Sequence, residues 1–204
     1  MAVVSERVSD LFARAAISVL FVLLAVRIGR EYSQTGHLTG LLLLVSEALV
    51  VLLTVVRRQA RVVDRSWGAR MIATVSIVGV PFIRPTGGGL VPDLATAAIS
   101  GLGLLVIITG KLTLGRSFGL MPANRGIVCR GIYRTLRHPI YAGYVVTHAA
   151  FLAAHPSSWN LAVLAVSDAA LMIRAVYEER TLAKDAEYAE YMTRVRWRVA
   201  PGVF

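Results

Sequence analysis

Six apolar runs, at about 11–29, 38–56, 69–83, 94–114, 139–156 and 159–177, dominate this chain and restrict what it can become. Most approach the ~20 residues needed to cross a ~30 Å hydrocarbon layer, where only helices and closed barrels satisfy their own backbone groups. Composition excludes an ordinary soluble domain, since 56% of the 204 residues are hydrophobic and only 17% are charged. The expected fold is therefore all-α: a polytopic membrane bundle of about six transmembrane helices, forming one integral membrane domain over residues 1–204. Five spans are the alternative, because the third run is short from Met71 to Ile83 and Pro81 interrupts its end. That run also suits a re-entrant or strongly buried element.

The basic residues give an independent reading of topology, because Lys and Arg concentrate in the cytoplasmic loops of polytopic proteins. Segments 57–70, 111–137 and 174–198 hold 17 of the 22 basic residues. With six spans all three fall on one side, which places both termini in the cytoplasm and leaves Arg27, Arg30 and Arg84 for the other face. The net charge of +10 is then a topology signal and an attraction to anionic headgroups. It is spread over membrane-edge loops with no recognisable binding module, so no nucleic-acid partner is expected. The Arg- and Ala-rich, Lys-poor composition suggests a bacterial inner membrane.

Glu6 and Asp10 dilute the basic character of the N-terminus and no small-residue cleavage site follows the first run, so that run reads as a permanent span. Cys129 is the single cysteine, which excludes an internal disulfide and makes an inert thiol the expectation. Glu47 and Asp168 stand inside apolar runs, where an ionisable group needs a helix partner or a place in a substrate pathway. The loop Pro81 to Pro92, with Gly87-Gly88-Gly89, lacks the lysine of a phosphate loop and reads as a flexible outer turn.

The chemistry concentrates in the back half. Gly101-Leu-Gly103 lies in the fourth run, where small residues permit close helix approach or leave room for a flat ligand. Arg137-His-Pro-Ile-Tyr-Ala-Gly-Tyr144 opens the fifth run, and Glu178-Glu179 closes the sixth. Charged groups at the mouths of consecutive membrane helices need a compensating partner, such as a small zwitterionic or cationic ligand.

Over roughly residues 100–200 this pattern resembles the membrane methyltransferases typified by isoprenylcysteine carboxyl methyltransferase. The resemblance rests on Gly131-Ile-Tyr-Arg-Thr-Leu-Arg-His-Pro-Ile-Tyr-Ala-Gly143, on Tyr177-Glu-Glu-Arg-Thr-Leu182 and on Glu187-Tyr-Ala-Glu-Tyr191. The Gly-x-Gly with Tyr-Glu-Glu is also similar to phosphatidylethanolamine N-methyltransferase, in the same superfamily. The resemblance implies S-adenosylmethionine as cofactor, a core for it over 94–204, and an acceptor side built by 1–93. The acceptor would be a lipophilic small molecule, a prenylated group or a membrane lipid, with O-methylation of a carboxylate or hydroxyl favoured over phospholipid N-methylation.

The residue types suit that cofactor. Glu178 and Glu179 can accept from an ammonium or ribose hydroxyls, and Arg137 and His138 can donate to a carboxylate. Tyr133, Tyr141 and Tyr144 offer flat faces and hydroxyls. Gly101, Gly103, Pro139 and Gly143 complete the expected cofactor-binding set, although Pro139 also suits plain helix initiation. Arg174 and His138 are the candidates for work on the reacting groups; Arg174, four residues before Glu178, either orients that carboxylate or binds an anionic acceptor. His148, about 15 Å deeper along the fifth helix, is expected in a buried polar contact. The tail Asp185 to Arg198 reads as an amphipathic surface helix, anchoring the chain or capping the pocket. Membrane sterol and enoyl reductases, which use NADPH, share a late His-Pro-x-Tyr element, but Ile140 and Gly143-Tyr144 depart from their pattern.

Overall fold

The computed structural model describes residues 38–64, 66–78, 82–84 and 88–204, with isolated positions between 15 and 33. Among the described residues the apolar runs became helices: α1 (Leu38–Val56), α2 (Trp67–Val78), α3 (Asp93–Leu114), α4 (Pro139–Ala154) and α5 (Ser158–Leu182). A short α6 (Ala186–Arg194) follows, and a two-residue ribbon pairs β1 (Val62–Val63) antiparallel with β2 (Ala123–Asn124). The expected first span falls largely outside the described residues, as do Pro81, Gly87 and the side chain of Glu47.

The chain is mostly helical, and two segments, Asp93–Ser117 and Ser158–Leu182, are long and apolar enough to cross a membrane. Their outward faces carry exposed Leu102, Leu105 and Leu112 on α3 and Leu161, Val166 and Ile173 on α5, as expected where lipid is the solvent. The doubtful third run forms a helix of 12 residues. At 1.5 Å per residue its described part is about 18 Å long.

Local signals explain the helix boundaries. The Ser157 side chain accepts from Asn160 N at the start of α5, Pro139 occupies the first turn of α4, and Asp185 accepts from Glu187 N at the start of α6. Gly115, at φ +50°, turns the chain out of α3.

The core joins Val50 and Leu53 of α1, Leu104 and Ile107 of α3, Ile140 and Tyr141 of α4, Leu171 and Ala175 of α5, and Val199 of the tail. α3 and α4 meet at a seam of small residues. A methyl on Gly103 would stand 2.8 Å from Thr147 Cγ2 and 2.9 Å from the Gly143 carbonyl, and one on Gly143 would stand 2.7 Å from the Gly103 carbonyl. The space that sequence reasoning offered to a flat ligand beside Gly103 is therefore filled by α4, and Gly103 and Gly143 act as crossing residues. Gly101 lies half-buried two positions earlier on α3.

Lys111 corrects the topology count. It belongs to α3 rather than to a loop, is fully buried, and its Nζ donates to Ser46 Oγ (2.8 Å) and the Ser46 carbonyl (3.0 Å) on α1. The remaining basic loops do gather at one end of the helices: β1 pairs with β2, Arg58 N donates to the Arg116 carbonyl, and Arg137 N donates to the Trp197 carbonyl. At the other end Asn160 bonds both backbone groups of Arg84, and Arg84 lies over the Trp159 ring.

Candidate active site

The loop from Gly115 delivers the Arg-His-Pro-x-Tyr segment to the mouth of α4. Gly131, at φ +58°, starts a one-turn helix through Arg134 and buries Tyr133. His138 then caps α4 in a non-helical conformation, with Pro139 next, so its imidazole leans over the end of α5. There Glu178 and Glu179 point in different directions, because successive helical residues are turned by about 100°.

His138 stands between the two carboxylates. Its Nε2 is 3.2 Å from Glu179 Oε1 and its Nδ1 is 3.7 Å from Glu178 Oε2, the second too long for a hydrogen bond. Tyr141 donates its hydroxyl to Glu178 Oε1 at 2.7 Å, and its ring stacks on His138 at 5.2 Å with 10° between planes. Arg174 Nε donates to the same Glu178 oxygen at 3.1 Å, its guanidinium lies 5.5 Å from the Tyr141 ring, and Nη1 reaches Ser76 Oγ of α2 at 3.4 Å. The orienting ion pair considered for Arg174 is thus present. Nη2 keeps no protein partner among the described residues.

Glu179 faces the tail. Arg198 Nε donates to its Oε2 at 2.9 Å, and Arg137 Nε lies 3.3 Å from its Oε1. The Arg137 contact is short but misaligned, so this buried Nε makes no hydrogen bond. Sequence reasoning missed Arg198. It carried the tail helix to that residue, but α6 ends at Arg194 because Val195 is extended, and Trp197 and Arg198 then lie alongside Arg137 and His138. His138 N donates to the Arg198 carbonyl at 2.7 Å, while Arg137 Nη2 donates to the Arg196 carbonyl at 3.1 Å. The alternation Arg194, Arg196, Arg198 was the available signal, since period two is that of extended chain.

α6 closes the same side. Tyr191 donates its hydroxyl to the Tyr133 carbonyl at 2.6 Å, and Tyr188 is buried with an unpartnered hydroxyl. Burial raises all three phenols, those of Tyr133, Tyr188 and Tyr191, well above the usual tyrosine range, and the carboxylates of Glu178 for Tyr133 and of Glu179 for the other two push the same way. Each is a neutral hydroxyl at physiological pH.

The expected residues do not all converge. Tyr133, Arg137, His138, Tyr141, Arg174, Glu178 and Glu179 form one cluster, and Pro139 is buried beneath it. Tyr144 sits a turn deeper, its ring 5.9 Å from Lys111 Nζ and stacked at 6.2 Å on His148. His148 Nδ1 pairs with Asp168 Oδ1 at 2.6 Å, which supplies the helix partner that both residues needed. Cys129 packs beside Tyr188 and Tyr191, and no cluster of metal-binding type occurs among the described residues.

Three guanidinium groups and two carboxylates leave the cluster one positive charge in excess before His138 is counted, and two buried donor groups, Arg137 Nε and the Tyr188 hydroxyl, have no hydrogen-bond acceptor. Such a site can take an anionic acceptor group such as a carboxylate, while Glu178 and Glu179 can hold an ammonium or a diol. No curated protein matches the chain. Residues 95–188, from the first turn of α3 to Tyr188, match the model of the phospholipid methyltransferase family. That family lies in the isoprenylcysteine/phospholipid methyltransferase superfamily of membrane proteins, and the match covers the segment that carries the His138 cluster.

Proposed function

We propose that this protein transfers a methyl group from S-adenosylmethionine to a lipidic acceptor, by O-methylation of a carboxylate or hydroxyl. The observation that carries the reading is the buried cluster around His138, with its excess of guanidinium groups and its two unsatisfied donors, beside a segment that matches a methyltransferase family. Arg137 and the Tyr188 hydroxyl would hold the cofactor's carboxylate, Glu178 and Glu179 its ammonium or ribose hydroxyls, and Tyr133 and Tyr141 its flat surfaces. When bound, the cofactor supplies an electrophilic methyl on a sulfonium, a chemistry that asks its site for alignment more than for proton transfer.

The chain's own residues would provide that alignment. His138 and Arg198 fix Glu179, Arg174 and Tyr141 fix Glu178, and Ser76 steadies Arg174 from α2. Arg174 Nη2 is then the group turned to an anionic acceptor, on the side to which α2 contributes. Neutral Tyr133, Tyr188 and Tyr191 line the tail side without adding negative charge. A second reading, N-methylation of a phospholipid amine, draws on the family match and on the His148–Asp168 pair, which can accept the proton such an amine must lose.

The test is calorimetric titration of detergent-purified protein with S-adenosylhomocysteine and, separately, with NADPH, for wild type, Glu179→Ala and His138→Ala. Binding of S-adenosylhomocysteine weakened by both substitutions is expected. NADPH binding alone would move the chain to a reductase. Labelled methyl donor with a total lipid extract then separates the two readings, because mild alkali releases the label from a methyl ester, hydriodic acid releases it from a methyl ether, and an N-methyl group survives both.

A further inference from the structure

A separate cavity of about 660 Å³ opens at the basic end of the helices, lined by Val55, Val56, Arg57, Arg58, Gln59 and Arg116. It shares no residue with the His138 cluster. Val55 and Val56 are the last residues of α1 and are 54% and 40% exposed. The wall is therefore apolar where the helix ends and cationic where the loop begins, and none of its residues is acidic.

Arg58 and Arg116 are held in place by their backbones and neighbours. Arg58 N donates to the Arg116 carbonyl at 2.8 Å, and Arg116 Nε donates to the Val56 carbonyl at 3.1 Å, which ties the α1 terminus to the turn after α3. Arg58 Nη1 lies 3.2 Å from where a methyl on Gly126 would stand, and Gly126 has a φ of +104°, so the bare glycine backbone makes room for the guanidinium. Among the described residues, neither the Arg58 guanidinium nor the terminal nitrogens of Arg116 have a partner. Two guanidinium groups that share a cavity without a carboxylate repel each other unless an anion joins them.

We propose that this cavity binds an anionic glycerophospholipid, with its phosphate between Arg58 and Arg116 and the start of its acyl chains along Val55 and Val56. A soluble anion would satisfy the arginines but would leave the valines wet. A zwitterionic lipid would cover the valines but carries its own cation to the arginines. Only a net-negative headgroup attached to hydrocarbon meets both walls, and a basic pocket at the end of membrane helices is the usual setting for such recognition. The site does not depend on the methyl-transfer reading.

Native mass spectrometry of the detergent-purified chain tests this, with titration by phosphatidylglycerol and phosphatidylcholine of identical acyl chains and with inorganic phosphate as competitor. Each basic residue near a charged lipid surface changes binding by about fivefold, so the double variant Arg58→Gln, Arg116→Gln should lose at least about tenfold for phosphatidylglycerol and little for phosphatidylcholine. Arg58→Lys, Arg116→Lys should retain most of the affinity, which separates lost charge from lost folding. Equal binding of the two lipids by wild type would overturn the proposal. So would wild-type affinity in the glutamine pair, a lysine pair as weak as the glutamine pair, or displacement of the lipid by millimolar inorganic phosphate.

Discussion

Glu179 meets two guanidinium groups and the His138 imidazole at once, which makes it the residue on which the cluster most depends. His138, Arg137 and Arg198 all approach its carboxylate within 3.3 Å, and its side chain is only 7% exposed. Removing one partner of a buried ion pair leaves the others desolvated without compensation, at a cost of about 3–5 kcal/mol. Arg198 retains solvent access and can relax, so Glu179→Ala should fall near the lower end of that range. We expect a lowered thermal unfolding temperature in detergent together with loss of S-adenosylhomocysteine binding; an unchanged melting curve would show that the arginines do not rely on this carboxylate. Cys129 gives a contrasting case. Burial raises its thiol pKa, Glu187 and Glu190 add to the shift, and Arg194 only partly offsets it. The thiolate is the reactive form, so a raised pKa means a smaller thiolate fraction at pH 7 and slower alkylation than a free cysteine near its usual 8.5. Iodoacetamide labelling should be slow at pH 7 and accelerate as pH rises beyond the ordinary thiol range. Fast labelling at neutral pH would contradict the packing of Cys129 against α6.

At the scale of elements, the α3–α4 crossing holds the mouth of α4 where His138 can reach α5. The absent side chains of Gly103 and Gly143 set its closeness, and the atoms they face include each other's carbonyls, which cannot swing aside as a side-chain tip can. Gly143→Ala should therefore cost about 1–3 kcal/mol through overpacking, despite alanine's better helix propensity. Thermal unfolding of the purified variant measures this, and a stabilised Gly143→Ala would show that the helices separate easily. The same crossing shows what sequence can and cannot disclose. Helix positions were legible because lipid demands apolar length, so α1 and α3 to α5 fall within a few residues of their hydrophobic runs. His138, Tyr141, Glu178 and Glu179 were legible because charge and aromatic groups at helix mouths need a reason. The two roles of Gly103 were not separable, since a small residue looks the same whether it faces a helix or a ligand. Arg198 and Ser76 were hidden for a different reason: they enter the site through tertiary contacts of a tail and a short helix whose local pattern carries no trace of His138 or Arg174.

The whole molecule is polarised along its helices, and that polarity makes a prediction about orientation. One end gathers β1, β2, the loop through Arg137 and the tail around Arg198, while the other joins Arg84 to Asn160 and Leu90 to Ala153. Even with Lys111 and Arg174 withdrawn into helices, the first end keeps most of the arginines, so the bias that orients membrane proteins predicts a cytoplasmic position for it. The His138 cluster lies at that end, where a water-soluble cofactor would be available, while the exposed leucines of α3 and α5 face lipid. In a Cys129→Ser background expressed in bacteria, Ser66→Cys and Thr135→Cys should be shielded from a membrane-impermeant maleimide applied to intact spheroplasts and labelled in inverted vesicles. Leu90→Cys should show the opposite pattern. Labelling of Thr135→Cys from outside would invert the orientation and put the cluster on the face away from a cytoplasmic methyl donor, so this result bears on the proposed chemistry as well as on topology.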